Sequence, residues 1–300
     1  MSNYSIDIKH TNRKNIVKFE ANKFLFNDEA FELNNIDEAK NAPLAQQLFY
    51  LPFVKKVYMA QNFIAVEKYD IVEWDAVEGE LAKQIQTYLN EGKPLIINHK
   101  PSQNVAVTVY AESTPNPGVM KFVANKKLVL QSFEFKNIDE TAISPLAQAL
   151  FHFPFIKELY FDENYISIQK YDIAEWNDIT MELREFIRNY IQEGKTIIAE
   201  EKLEANKNKA TETKVNIENL DDTSKEIVAI LDEYVKPAVA NDGGNILFDS
   251  YNPETQTVKV ILQGACSGCP SSTITLKNGI ETMLRDMMQG KVNHVEAVNG

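Results

Sequence analysis

Apolar and polar residues alternate along the first two thirds of the chain in a succession that occurs twice. Runs with a period of two, the mark of half-buried strands, cover Val54–Met59 and Phe63–Glu67, then Ile156–Phe161 and Tyr165–Gln169. A period near four follows, and Leu183, Ile187 and Ile191 predict one buried helical stripe. Ser144 before Pro145 predicts a helix N-cap with proline in the first turn, where its missing N–H costs nothing. Pro154 stops that short helix. Asp70 with Glu73, and Asp172 with Glu175, have capping-box spacing and predict the starts of longer helices, with Gly92 and Gly194 at their ends.

The recurrence extends to residue identity. Pro43-Leu44-Ala45-Gln46 returns as Pro145-Leu146-Ala147-Gln148, and Lys68-Tyr69-Asp70-Ile71 with Trp74 returns as Lys170-Tyr171-Asp172-Ile173 with Trp176. Lys18-Phe19 and Lys121-Phe122 match upstream, one residue out of step, as a single-residue loop difference requires. Two tandem domains, residues 1–100 and 101–199, are therefore expected. Residues 200–219 are charged and nearly free of large apolar side chains, the composition of a polar linker. Residues 220–300 predict a third unit: a helix over Ser224–Val239 kinked or split at Pro237, a Gly243-Gly244 turn, and strands Ile246–Tyr251 and Thr257–Gln263. A helix over Thr273–Met288 and a closing strand over Val292–Val298 complete it. The expected fold class is α+β, in layers, with three small domains and an αββαβ order in the last.

Composition narrows the function. Of 300 residues 44% are hydrophobic, which is globular, and the net charge of −12 disfavours a nucleic-acid partner, since such proteins carry a basic footprint. MSNYSIDIKH lacks the apolar core of a secretory signal, and no apolar run reaches membrane-spanning length. A cytoplasmic protein that does not engage a membrane is expected. No Ser/His/Asp set, zinc-protease motif or phosphate-cradling glycine loop is evident, so the chain does not read as an enzyme.

The chain has two cysteines, Cys266 and Cys269, separated by two residues. That spacing lets both sulfurs converge on one centre, as in zinc and iron–sulfur sites. Gly264 and Gly268 permit a tight loop, and a following helix, capped by Ser271 or Ser272, would favour thiolate. A closed site takes four ligands and one chain supplies two thiolates. Either two chains each give a pair, or His294 and a carboxylate such as Asp242 complete an intrachain site. Zinc and thioredoxin-like redox chemistry remain open on spacing alone. Met283, Met287 and Met288 fit a helix core better than a ligand set, and Trp74 and Trp176 fit anchors of helix to sheet.

Asn241-Asp242-Gly243-Gly244, followed by Leu262-Gln263-Gly264-Ala265-Cys266-Ser267-Gly268-Cys269-Pro270-Ser271-Ser272 and Leu276-Lys277-Asn278-Gly279-Ile280-Glu281, resembles the C-terminal domain of NifU and Nfu-type scaffolds. Thr114-Pro115-Asn116-Pro117 before Met120-Lys121-Phe122 resembles the Nfu N-terminal domain. The first repeat departs from that pattern, with Thr11-Asn12-Arg13-Lys14 in its place, and one such domain rather than two is usual for the family. The resemblance implies an iron–sulfur cluster scaffold or carrier with Cys266 and Cys269 as cluster and metal ligands. Upstream cluster donors and apo iron–sulfur client proteins are the implied partners; two cysteines against four ligand positions predict a homodimer on cluster binding, and four thiolates can hold either cluster type, with [4Fe–4S] expected ahead of [2Fe–2S]. Pro115 and Pro117 stiffen the segment between them, which suits a recognition surface or a rigid turn.

Overall fold

The computed structural model describes residues 4–26, 29–97, 106–199, 220–267 and 270–299. The alternating runs are strands, and each repeat closes them into a five-stranded antiparallel sheet. In the first repeat these are β1 (Ile6–His10), β2 (Ile16–Ala21), β3 (Ala30–Leu33), β4 (Val54–Ala60) and β5 (Phe63–Lys68), in spatial order β1-β2-β5-β4-β3. In the second they are β6 (Val109–Ser113), β7 (Val119–Ala124), β8 (Phe133–Phe135), β9 (Ile156–Asp162) and β10 (Tyr165–Lys170), in order β6-β7-β10-β9-β8. The register also agrees: Lys18 pairs with Ala65 as Lys121 pairs with Ser167.

A strand sends successive side chains to opposite faces, so each sheet has an inner and an outer face. Helices α1 (Pro43–Phe49) and α2 (Glu78–Asn90) accompany the first sheet, and α3 (Pro145–Leu150) and α4 (Trp176–Gln192) the second. Val17, Phe19, Ile64 and Val66 share a core with Leu81, Ile85 and Leu89 of α2. Phe122, Leu159, Phe161, Ile166 and Ile168 do the same with Leu183, Ile187 and Ile191 of α4. This burial of apolar surface between one sheet face and a helix stripe is the main stabilising term in each repeat.

Ser144 caps α3 as expected: its Oγ accepts from Ala147 N at 3.1 Å, whereas Ala42 at the matching position of α1 has no side-chain cap. The capping boxes do not form. The segments after Asp70 and Asp172 are turns, and α2 and α4 open at Glu78 and Trp176 without a side-chain cap at Val77 or Glu175. The indoles do the anchoring instead. Trp74 Nε1 donates to Lys14 O at 3.0 Å and Trp176 Nε1 to Pro117 O at 2.9 Å, tying each helix region to the turn between the first two strands of its repeat.

The third sheet has strands β11 (Gly244–Asn252), β12 (Thr257–Gly264) and β13 (His294–Asn299), with β11 and β12 antiparallel and β13 parallel to β12. The crossover between β12 and β13 is a helix, Pro270–Met287, which begins three residues before its expected start. The leading helix is split, as Pro237 predicted: Asp222–Ile230, a π-helical turn Leu231–Val235, then Lys236–Asn241. Proline cannot donate the usual backbone bond, and the widened turn before it absorbs the mismatch. Met288 is buried and Met283 packs on the same core, but Met287 is exposed. The αββαβ order and the α+β class hold. Two compact units divide the chain, Met1–Ala106 and Val107–Gly300, so the second repeat and the third sheet belong to one unit. The expected linker, 200–219, lies outside the described residues.

Candidate functional site

Cys266 lies two residues beyond β12, in the turn that leads to the Pro270–Met287 helix. Its loop is tied down by backbone bonds: Ala265 N donates to Gly243 O at 3.2 Å and Ser267 N to Gly264 O at 3.0 Å. Thr273 Oγ1 reaches back to Cys266 O at 3.3 Å. Two glycines make the loop possible. Gly264 has φ +62°, and a Cβ there would lie 2.8 Å from both Gly243 O and the Tyr160 ring. A Cβ on Gly244 would lie 2.5 Å from Cys266 Sγ. The sulfur therefore rests against the start of β11, and Cys266 is only 8% exposed.

Burial dominates the chemistry of this thiol. It pushes Cys266 up to about 12, and the nearby Asp242 carboxylate adds in the same direction. The expected activation to thiolate by the following helix is thus overridden in this packing. Cys269 and Gly268 lie outside the described residues. The serines proposed as caps, Ser271 and Ser272, fall inside the helix rather than before it.

The intrachain alternative fails on geometry. His294 pairs with Thr257 at the opposite end of β12 from Gly264, and at strand rise that separates it from the cysteine loop by roughly 23 Å. His294 Nδ1 is 4.0 Å from Glu281 Oε2 instead. Among the described residues no group of three or more His, Cys, Asp or Glu side chains is placed to hold a metal ion.

What surrounds the cysteine loop is the outer face of the second repeat's sheet. Asn116, the centre of Thr-Pro-Asn-Pro, is 4% exposed, and its Nδ2 lies 3.2 Å from both Ala265 O and Ser267 O, the carbonyls on either side of Cys266. Its Oδ1 accepts from Gly118 N at 3.0 Å, so the turn itself aims the amide. Ser167 Oγ donates to Gly243 O at 2.6 Å, and Tyr165 OH to Gly244 O at 3.3 Å. Gly264 N donates to Glu134 Oε1 at 3.1 Å. Lys121 Nζ donates to Ala240 O and Asn241 O, at 3.0 and 3.1 Å, and so satisfies carbonyls at the negative end of the preceding helix. Its ammonium also sits 4.4 Å over the Tyr165 ring. Tyr160, 1% exposed, packs with Val123 and Tyr165 as a separate apolar cluster on this outer face. Burial raises Glu134 and Asp162 above the usual carboxylate range; the Gly264 N–H on Glu134 and the Tyr160 hydroxyl on Asp162 oppose the shift.

None of these six residues, Asn116, Lys121, Glu134, Tyr160, Tyr165 and Ser167, is marked by the sequence as a neighbour of the cysteine loop. A signal existed. Outward strand positions that should be polar read Val123, Tyr165 and Tyr160 in the second repeat, while Glu20 stands where Val123 does in the first.

The domain described as "Scaffold protein Nfu/NifU N terminal" matches residues 6–92 and 109–194, and "NifU-like domain" matches residues 227–296. NifU-like protein 4, mitochondrial, of Arabidopsis thaliana is 31% identical over 61% of this chain and 63% of its own length. NFU1 iron-sulfur cluster scaffold homolog, mitochondrial, of Drosophila willistoni is 35% identical over 59% of each chain. The match thus spans about three fifths of the length of these curated relatives. The solution structure of a NifU-like protein from Saccharomyces cerevisiae matches over 32% of this chain and 87% of its own, at 22% identity and a TM-score of 0.30. The expectation of a cytoplasmic protein is corrected by the relatives, whose names place them in mitochondria. No helix among the described residues is long and apolar enough to cross a membrane.

Proposed function

Because the chain belongs to the Nfu/NifU family of iron–sulfur cluster scaffold proteins, we propose that it binds a cluster through Cys266 and Cys269 and hands it to apo-proteins. The cluster is cargo. The supporting observation is the loop that ends β12: it places Cys266 at a strand-to-helix turn three residues before Cys269, with His294 at the far end of the sheet. Two thiolates per chain against four ligand positions make the bound form a cluster shared by two chains, and a [4Fe–4S] cluster is the species we assign. A shared cluster is released by separating the two chains, which is what a carrier requires. The division into residues 1–100, 101–199, 200–219 and 220–300 is part of the proposal, with cargo held by the last segment and the repeats serving contact with donors and clients. No catalytic step is assigned to the chain.

Anaerobic reconstitution tests this. Native mass spectrometry should show one cluster per two chains, with iron and sulfide in equal amounts, and chelation should return the protein towards monomer. Mössbauer spectra separate the two cluster types. Cys266→Ser or Cys269→Ser should each abolish stable binding, because the ligand count drops below four. A full cluster on each monomer without added thiol would refute the shared site.

A further inference from the structure

The second repeat covers the very loop that the proposed function requires to be open. Cys266 Sγ faces Gly244 rather than solvent, and the carbonyls before and after it are both held by Asn116. A cluster shared between chains needs that sulfur turned outward, towards a partner molecule. A turn of the Ala265–Ser267 backbone that frees the sulfur from Gly244 would break the two bonds from Asn116 Nδ2. Ser167, Tyr165 and Lys121 hold the neighbouring segment, from Ala240 to Gly244, against the same sheet.

We propose that the outer face of the second repeat is an internal docking surface for the cysteine domain, latched by Asn116, and that loading cargo vacates it. This deepens the carrier reading and rests on it. Thiol exposure and sheet-face exposure are then two sides of one equilibrium. While the latch is closed, Cys266 is shielded from oxidants and adventitious metals. When a cluster forms, Lys121, Tyr165, Ser167 and Asn116 become a free surface whose donors have lost their carbonyl partners. A face built to take backbone carbonyls and a glycine turn is then offered to another polypeptide with exposed backbone.

The first repeat supplies a test that keeps the fold intact. At the matching positions it carries Arg13 for Asn116, Glu20 for Val123, Phe63 for Tyr165 and Ala65 for Ser167. These residues are already compatible with this sheet, so Asn116→Arg, Val123→Glu, Tyr165→Phe and Ser167→Ala combined in one full-length chain should leave it folded, as hydrogen exchange at Phe122 and Ile166 would verify. Reduced, iron-free protein is treated with iodoacetamide, and Cys266 and Cys269 are followed separately by peptide mass spectrometry. Loss of the two Asn116 hydrogen bonds alone corresponds to roughly tenfold to hundredfold in a closing equilibrium, and those of Tyr165 and Ser167 go with them, so Cys266 should react faster in the variant by at least that lower figure. Asn116→Arg alone should give part of the gain.

A second reading uses the wild-type chain. Amine labelling of Lys121 should rise when the cluster is reconstituted, while Lys18, its counterpart in the first repeat, stays constant. Equal Cys266 rates in wild type and variant, or no change at Lys121 on loading, would overturn the latch. So would loss of iron and sulfide from the variant, since the repeat would then be helping to hold the cargo. Wild-type protein that takes up no iron or sulfide defeats the carrier reading instead, and the thiol rates still report on the cover.

Discussion

The two repeats share a backbone plan and an inner face, and differ on the other side of the sheet. Inside, Val17, Phe19, Ile64 and Val66 answer to Met120, Phe122, Ile166 and Ile168, large apolar residues throughout. Outside, the second repeat presents Val119, Lys121, Val123, Tyr160, Tyr165 and Ser167, all buried. The first repeat presents Ile16, Lys18, Glu20, Tyr58, Phe63 and Ala65 there, and among these only Ala65 is fully buried. Lys18 shows the change most clearly. It keeps its place over an aromatic ring, 4.1 Å from the Phe63 centroid, but its ammonium bonds Glu20 at 2.8 Å instead of helix carbonyls. Lys56 with Glu32 and Lys55 with Glu67 extend the same surface of paired charges. One repeat has kept the fold with a solvated outer face; in the other that face is dry and carries the cysteine loop. Foldedness and docking are thus written on alternate residues of the same strands.

That separation can be broken in order of size. Phe19→Ala and Phe122→Ala remove matching, fully buried rings, and each should cost about 3–5 kcal/mol. Local hydrogen exchange in β2 and β7 should report similar losses, because the inner face is common property. A difference of more than about 2 kcal/mol between them would mean the cores are not equivalent.

The outer face should respond unequally. Val123→Glu places a charge against Tyr160 and Tyr165 and should destabilise the second unit by several kcal/mol unless the cysteine domain lets go. The reverse change, Glu20→Val, sits on a solvated face and should stay within about 0.5 kcal/mol. Denaturant titrations of the two variants decide this, and symmetrical effects would remove the distinction between the faces.

Acid–base behaviour sharpens it further. Glu134 and Asp162 are both raised by burial, Glu134 against Gly264 of the cysteine domain and Asp162 beside Tyr160 and Tyr165, and Ala60 replaces Asp162 in the first repeat. A carboxyl whose folded pKa lies above its unfolded value binds its proton more tightly in the folded state. Its effect on stability is most favourable below the unfolded pKa, near 4, and turns adverse as pH rises through the raised folded value. Glu134→Gln with Asp162→Asn should therefore flatten the wild-type decline over that window. Stability curves of both proteins from pH 4 upwards provide the check, and parallel curves would contradict the burial argument.

The inner face was readable from sequence because it is local: a period of two in strands and near four in α4 needs no knowledge of distant residues. Ser144, Pro154 and Pro237 were readable for the same reason, since each acts on its own backbone. The capping boxes misled because Trp74 and Trp176 bind turn carbonyls some sixty residues away and set where the helix regions sit. Cys266 could be chosen by spacing, but its seat could not. Asn116 meets Ala265 and Ser267 across about 150 positions, and Gly244 meets the sulfur only because β11 pairs with β12. The burial that overrides thiolate formation comes from those same distant contacts.

The smallest expected effect exchanges a cap between the repeats. Ser144 Oγ accepts from Ala147 N and donates to Ile197 O at 2.8 Å, closing the first turn of α3 onto the segment after α4. Ala42 holds nearly the same backbone, φ −125° and ψ 80° against −128° and 98°, with no oxygen to offer. Both repeats otherwise join these segments alike, through Ile97 N to Asn41 O and Ala199 N to Ile143 O, each at a normal distance. Ser144→Ala should thus cost about 1–2 kcal/mol, since it opens a helix N–H and a partly buried carbonyl together. Ala42→Ser should return less, about 0.5 kcal/mol, because the surrounding side chains have packed around a methyl group. Amide exchange at Ala147 and Ala45 measures both. If Ala42→Ser destabilised the first repeat, the backbone likeness would not extend to the space around the cap, and the inner architecture of the two repeats would differ in packing as well as on its outer face.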